Sequence, residues 1–164
     1  MVTEEKFRHV MGHFATGVTI LASRGPGGEP VGLTVNAFTS VSLDPPLILV
    51  CVHKEAEAHE SILRSGHFGL SFLERDQEQL ALTFAVADPE ERFKGMEVEA
   101  GPAGSPIIPG VMAWLDCRVE GSYPGGDHTI IVGRVVGCEA KDGDPLLFFK
   151  GSLNFEVRRE GQQP

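Results

Sequence analysis

The pattern of hydrophobic and polar residues along the chain predicts mainly β structure. Alternating or short apolar segments are bounded by glycine and proline, as in strands joined by tight turns. About seven strands are predicted, at residues 17–23, 31–38, 47–52, 67–73, 111–123, 128–140 and 146–149. Because most of them follow one another directly, we expect an antiparallel barrel or sandwich rather than a doubly wound α/β fold.

Three short helices are expected beside these strands. Residues 4–14 form an amphipathic helix, because their apolar positions recur at i, i+3, i+4 and i+7. Residues 55–66 and 76–85 form the other two. In the last of them Asp76 precedes Gln79 by three positions, which is the spacing of a capping box.

The stretch from Thr34 to Ser42 has strand-like alternation and an unusual polar set. Its polar positions are Thr, Asn and Ser only, without the Lys and Glu of a typical solvated face. It precedes residues 47–52, which are apolar throughout and therefore predicted to be covered on both faces. One interpretation is the outer face of an edge strand. The other is a rigid edge of neutral donors and acceptors, which suits a planar heteroaromatic ligand.

Length and composition indicate one ordinary globular domain over residues 1–164. The chain is 41% hydrophobic, and a chain of this size buries roughly 70% of its unfolded surface. No apolar run approaches the ~20 residues that span a bilayer, and the charged first ten residues lack an export signal. Cys51, Cys117 and Cys138 have no CxxC spacing, so they are interpreted as buried thiols in the cytoplasm.

Charge and motif content exclude several function classes. The formal net charge of −9 argues against a nucleic-acid surface, and no P-loop or Rossmann fingerprint is present. His9 and His13 lie one helical turn apart but have no third ligand in view, so we expect surface residues rather than a metal site.

Two further places carry candidate chemistry. His128 follows a predicted turn at the start of a strand, where Asp127 can orient it toward a substrate amide or phosphate. Arg92 and Lys94 flank Phe93 in an irregular or short helical segment. One interpretation is that these three residues bind a ring and a phosphate together. The alternatives are a surface histidine and a loop anchored by one buried phenylalanine.

Several of these segments together resemble the short-chain flavin reductase family. The matching segments, in the family's order and over about nine-tenths of the chain, are FATGVTIL (14–21), GLTVNAFTSVSLDPPLILVCV (32–52), SGHFGLSFL (65–73), LALTFA (80–85), RFKG (92–95), GDHTIIVGRV (126–135) and PLLFFKG (145–151). The long central segment is the most specific of them. The resemblance implies an FMN-binding split barrel, a mainly β fold with an antiparallel split β-barrel and a few short helices.

The resemblance also implies where ligands bind. The isoalloxazine ring is expected against Thr34–Ser42, with Asn36 and neighbouring backbone groups at its pyrimidine edge. The phosphate is expected near Cys51–Lys54, and a nicotinamide near His128 and Phe93. The implied site residues are Thr34, Val35, Asn36, Ser40, Val41, Ser42, Cys51, His53, Lys54, Arg92, Phe93 and His128.

The implied activity is an NAD(P)H:flavin oxidoreductase. Hydride passes from NADH or NADPH to FMN or FAD, and the reduced flavin serves a partner monooxygenase. Family members form homodimers with each flavin near the subunit interface. Two alternatives remain open: an FMN-binding electron carrier without free-flavin reductase activity, and a split-barrel module that has lost its flavin.

Some positions depart from the family pattern. Ala56 and Ala58 stand where the family often has a Ser-x-Thr pair reaching the phosphate, and Phe148 and Leu153 where it commonly has tyrosines. We therefore expect moderate flavin affinity, with His59 as one substitute for the lost hydroxyl groups.

Overall fold

A computed structural model describes residues 1–153 of the chain. Residues 154–164, which the expected single domain also includes, lie outside the described residues. The described part is mainly β, with antiparallel pairing throughout its strand ladders, as the sequence predicts. Its strands are β1 (Thr16–Gly17), β2 (Thr19–Arg24), β3 (Pro30–Val35), β4 (Phe38–Leu43), β5 (Pro46–His53), β6 (His67–Phe72), β7 (Glu99–Ala100), β8 (Pro106–Ile107), β9 (Ala113–Gly125), β10 (His128–Ala140), β11 (Leu147–Phe149) and β12 (Ser152–Leu153).

Seven of these strands form the main sheet, in the order β3-β2-β6-β9-β10-β5-β4. Two smaller sheets lie beside it, one of β1, β11 and β12 and one of β7 and β8. The long β9–β10 ladder has two register shifts, next to Gly133 and Gly137, where the sequence predicts bends or bulges. The shifts add local twist and help the sheet to curl.

The sheet closes on itself through a two-residue junction, Asn36–Ala37. Strands β3 and β4 are consecutive in the chain, yet they lie at opposite edges of the main sheet. The Cys51 backbone N–H donates to the Ala37 carbonyl at 2.9 Å, and the Phe38 ring lies 5.4 Å from the Phe72 ring. The predicted continuous strand 31–38 is therefore wrong, because β3 ends at Val35 and the chain crosses the barrel rim before β4 begins.

Burial differs from the prediction along β5. Ile48, Val50 and Val52 are buried, whereas Leu47 and the other alternate residues are only half-buried. Within the single chain, the apolar run at residues 47–52 is therefore covered on one face only. The prediction of two covered faces is wrong for the single chain. The strand buried along most of its length is β2, from Thr19 to Ser23.

Within residues 1–153, four helices pack at the ends and sides of the barrel. They are α1 (Glu4–Met11), α2 (Glu57–Ser65), α3 (Glu78–Val86) and α4 (Pro89–Arg92). Helix α1 ends at Met11, three residues before its predicted end at residue 14, and none of its residues is buried. A short 3-10 turn precedes α3, and its capping box uses Glu74 and Gln77 rather than Asp76 and Gln79. No helix among the described residues has the length and apolar character needed to cross a membrane.

Two side chains on the β9–β10 ladder are buried differently from the sequence expectation. Asp116, predicted on the polar face, is fully buried, because residues 101–105 fold over it and the Ala103 backbone N–H donates to its carboxylate. Cys138, expected to be buried, is exposed, whereas Cys117 is buried and Cys51 half-buried. Burial raises the pKa of the Cys117 thiol to about 12.

Crowding at Gly133 gives a test of the barrel core. A Cβ atom at this position would lie 2.5 Å from the Phe68 ring and 3.0 Å from Cys117 Cβ, both of which are fully buried. We expect Gly133→Ala to lower the free energy of unfolding by about 1–3 kcal/mol, because the close-packed interior must shift. Urea denaturation measures this change. Gly17→Ala, where nothing lies within 4 Å, is the control and should change stability by less than about 0.5 kcal/mol. Equal stability of the two variants would contradict the packing described here.

Candidate functional site

A cleft of about 860 Å³ opens at the rim of the barrel. One wall comes from α1 and the segment that follows it, and another from the Asn36–Ala37 junction and Phe38. Phe148 of β11 and the segments near Leu73 and Leu146 complete it. The lining is mostly apolar with a few polar groups, which is typical of a small-molecule site.

Asn36 is the predicted site residue that lines this cleft. Its side chain is exposed, and its amide Nδ2 donates to Thr16 Oγ1 at 3.3 Å across the rim. Ala37 beside it is also exposed. The junction therefore presents a neutral amide and backbone polar groups at the edge of an apolar cleft. The contact of Asn36 with a ligand stays a prediction.

The other members of the predicted polar row point elsewhere. The Thr34 hydroxyl donates to the Ala81 carbonyl of α3 at 2.6 Å, and Val35 is buried in the core. Ser40, Val41 and Ser42 lie on the edge strand β4, where a register shift separates Ser40 from Ser42. Ser40 and Val41 are exposed, and Ser42 is half-buried. A direct ligand contact of these five residues stays a prediction.

A second polar cluster lies where β5 ends and β10 begins. We call it the histidine group, and it consists of His53, Lys54, Asp127 and His128. Asp127 Oδ1 accepts from His128 Nδ1 at 2.7 Å, and Asp127 Oδ2 lies 4.0 Å from His53 Nε2. The two imidazole rings meet edge to face, with their centroids 5.1 Å apart. The hydrogen bond from His128, with its charge and that of His53, lowers the pKa of the Asp127 carboxyl, so this group is ionised at neutral pH.

The junction and the histidine group lie close together because of the strand register. Ala37 is hydrogen-bonded to Cys51, which lies two residues before His53 on β5. His53 in turn pairs with His128 across the β5–β10 ladder. Two strand spacings, about 10 Å, therefore separate the junction from β10. At this level β10 is at Ile130, two residues beyond His128, and none of the four residues of the histidine group lines the cleft.

Arg92 and Phe93 lie on another side of the barrel wall. The Arg92 guanidinium donates to the carbonyls of Gly32, at 2.7 Å, and Ala87, at 3.1 Å. The Phe93 ring packs edge to face on the buried Phe84 at 4.8 Å. In the single chain these contacts anchor α4 to β3, and neither residue lines the cleft. Their contact with a cofactor stays a prediction.

Several cleft residues were not among the predicted site residues. Arg8, Phe14 and Thr16 enter the cleft from the N-terminal segment, and Met112 and Phe148 from later segments. Residues 14–21 and 145–151 belong to the family-like segments, and that is the signal by which Phe14, Thr16 and Phe148 could have been found. Among the residues that the structure describes, no three His, Cys, Asp or Glu side chains gather as metal ligands.

Comparison with known proteins decides the family. A family model described as "Flavin reductase like domain" matches residues 11–155. The chain belongs to this family. The matched range includes the main-sheet strands, most of the residues that line the cleft, and the histidine group.

Individual relatives in the family carry flavin reductase names. The chain is 41% identical to "FMN reductase (NADH) SmoA" of Agrobacterium fabrum, over 90% of this chain and 83% of the relative. It is 38% identical to "Flavin-dependent monooxygenase, reductase subunit HsaB" of Rhodococcus jostii, over 92% and 76%. Some relatives are longer, and the chain spans 49% of one of them.

Solved structures confirm the split-barrel expectation. The "NADH:FAD oxidoreductase SgcE6" of Streptomyces globisporus, in complex with NAD and FAD fragments, superposes with a TM-score of 0.87 at 36% identity. The superposition covers 99% of this chain and 99% of that one.

The internal bond of Thr34 gives a test of which polar residues are structural. Thr34→Val removes the hydroxyl that donates to the Ala81 carbonyl, so the free energy of unfolding should fall by about 1–2 kcal/mol. Chemical denaturation measures this loss. Thr39→Val on the exposed edge of β4 is the matched control and should change stability by less than about 0.5 kcal/mol. A Thr34 variant as stable as the parent would show that its hydroxyl has no structural role.

Proposed function

We propose that the protein is an NADH-dependent flavin reductase that reduces FMN or FAD for a partner monooxygenase. The observation that carries this proposal is the exposed Asn36–Ala37 junction at the edge of the 860 Å³ apolar cleft. Across β5 the junction is level with Ile130 of β10, two residues from His128. The names of the relatives support it, since they include an NADH-dependent FMN reductase and a monooxygenase reductase subunit. These names favour NADH over NADPH.

The residues present fit a flavin. The cleft lies within the usual size range of ligand pockets, and its apolar walls suit a flat ring. Bound flavin supplies the acceptor for the hydride that the reduced nicotinamide donates. Asn36 and the junction backbone hold the polar edge of the ring, and the apolar walls exclude water from it. Since hydride transfer needs orientation and not a strong acid or base, neutral donors are sufficient.

The phosphate end of the ligand is expected near the start of α2. Lys54 supplies a cation there, and its Nζ donates to the Gly126 carbonyl in the β9–β10 turn. Ala56 caps α2 without a side-chain hydrogen bond, and Ala58 is buried. The hydroxyl groups that the family often places here are absent, and each is worth about 1–2 kcal/mol toward an anion. Moderate affinity follows, which suits a flavin that leaves after reduction.

We propose that the protein acts as a homodimer. The outer face of β5 leaves Leu47, Leu49 and Cys51 half-exposed. Phe7 of α1 is exposed, as is Phe14 in the segment that follows this helix. Apolar surface of this extent usually marks an interface. A second copy on β5 would cover the face that the sequence predicted to be buried.

We also propose a cytoplasmic location, since the three cysteines are free.

A kinetic assay tests the proposed function. A reductase oxidises NADH at a rate that rises and saturates with added FMN or FAD. An electron carrier would purify with tightly bound flavin and be indifferent to more of it, and a module without flavin would be colourless and inactive. Repeating the assay with NADPH decides between the two nicotinamide cofactors. NADH oxidation that does not respond to free flavin would contradict the proposal.

Asn36 is expected to contribute directly to flavin affinity. Asn36→Ala should raise the dissociation constant for FMN or FAD about tenfold, because a polar edge of the ring loses its partner. Quenching of flavin fluorescence measures the affinity. The control is Thr39→Ala, on the exposed edge strand and outside the cleft, which should leave affinity within about twofold. Unchanged affinity in the Asn36 variant would remove this residue from the site.

His128 is expected to act on the nicotinamide and not on the flavin. His128→Ala should raise the KM for NADH about tenfold and leave the flavin dissociation constant unchanged, since one hydrogen bond to the nicotinamide is lost. Steady-state kinetics and a flavin titration measure the two effects separately. A loss of flavin affinity instead would show that the positions assigned to the two ligands are reversed.

A further inference from the structure

The histidine group fixes the protonation pattern of His128 when this residue is neutral. Asp127 is ionised, and a carboxylate can only accept a hydrogen bond. The 2.7 Å contact therefore requires the proton of His128 to lie on Nδ1. The other ring nitrogen, Nε2, is then left with a lone pair and can accept a hydrogen bond from a ligand.

His53 has the opposite pattern and faces the same carboxylate. The Glu55 backbone N–H donates to His53 Nδ1 at 3.2 Å, so neutral His53 carries its proton on Nε2. That N–H lies 4.0 Å from Asp127 Oδ2. One imidazole N–H thus faces each oxygen of Asp127, and the edge-to-face contact of the two rings restricts the plane of His128.

The backbone around Asp127 is held by the neighbouring loop. The Lys54 backbone N–H donates to the Asp127 carbonyl at 3.0 Å, and the Lys54 side chain donates to the Gly126 carbonyl. Two hydrogen bonds therefore tie the β9–β10 turn to the end of β5. These bonds fix the backbone position from which the Asp127 side chain reaches His128.

We propose that Asp127 and His53 are positioning residues that present Nε2 of His128 as a hydrogen-bond acceptor for the amide nitrogen of the nicotinamide. The proposal rests on the proposed function for the identity of the ligand. It assigns the site a specificity: a carboxamide, which has an N–H donor, is preferred over a ketone of the same shape. His128 accepts a hydrogen bond from the amide N–H, and Asp127 and His53 keep its Nε2 directed toward the ligand.

Nitrogen NMR of the flavin-free protein tests the positioning of His128 and needs no measurement of enzyme activity. In histidine-labelled protein above pH 8, His128 should appear as the Nδ1–H tautomer, its signals assigned by their loss in His128→Ala. In Asp127→Asn the amide can donate to Nδ1, so the proton should move to Nε2. In His53→Phe, which keeps the edge-to-face ring, the Nδ1–H population should fall below that of the parent protein. Glu55→Gln is the charge-matched control, because it removes one exposed acid and keeps the backbone donor to His53.

Inhibition by oxidised dinucleotides tests the specificity. NAD⁺ and its 3-acetylpyridine analogue, in which a methyl ketone replaces the amide, are compared as competitive inhibitors against NADH. The parent protein and Glu55→Gln should bind NAD⁺ about five- to tenfold more tightly than the analogue, the value of one hydrogen bond. In Asp127→Asn the ratio should fall to about one, since an Nε2–H donor serves the carbonyl of both molecules.

The outcomes separate this inference from the function on which it rests. If NADH is not oxidised with free flavin, the proposed function fails. The NMR result still tests whether Asp127 and His53 position His128. If NADH is oxidised but His128 is an Nε2–H tautomer, or Asp127→Asn leaves tautomer and inhibitor ratio unchanged, the inference is wrong. A His128 tautomer population in His53→Phe equal to that of the parent would remove His53 from the arrangement.

Discussion

Closure of the seven-stranded sheet through Asn36 and Ala37 is the constraint on which the rest of the structure depends. A sheet whose first and last strands are consecutive in the chain must curl until two residues can bridge its edges. The bridge is fixed by the bond from Cys51 to Ala37. The same closure exposes the Asn36 amide and the nearby backbone at the rim, where the cleft opens, and aligns the end of β5 with the start of β10. The two parts of the candidate site are therefore products of one folding requirement.

The candidate site has few charged side chains, although the chain has a net charge of −9. Arg8 is the one charged side chain that lines the cleft within the described part of the chain, and it is paired with Glu4 at 2.7 Å. In the histidine group, the Asp127 carboxylate accepts from His128 and faces His53, and the Lys54 backbone N–H donates to the Asp127 carbonyl. A site of this kind orients ligands through neutral hydrogen bonds and shape, and leaves the redox chemistry to the cofactors that it binds.

The sequence predicted the strand content and the identity of the central segment well, because periodicity and turn residues are local signals. It failed where a residue's environment depends on distant parts of the chain. The alternation from Thr34 to Ser42 could not reveal that β3 ends at Val35, because the break is imposed by closure of the barrel. Asp116 alternates as a surface residue should, yet residues 101–105 fold over it.

The sequence also predicted only part of the candidate site. Asn36 and His128 were predicted from residue type, position and family resemblance. The structure places Asn36 at the cleft and His128 against Asp127, and their contact with a ligand stays a prediction. Thr34 could not be distinguished from its neighbours by sequence, since only the fold shows that α3 accepts its hydroxyl. The role of Phe148 in the cleft depends on the small sheet formed by β1, β11 and β12, which pairs segments from the two ends of the described chain.

The most direct test of the central claim is a crystal structure of the full chain with FMN or FAD. The account predicts the isoalloxazine ring in the cleft, with its pyrimidine edge within hydrogen-bond distance of the Asn36 side chain or the Ala37 backbone. A ring bound at another face of the barrel, or a cleft filled by the protein's own side chains in the presence of saturating flavin, would contradict it.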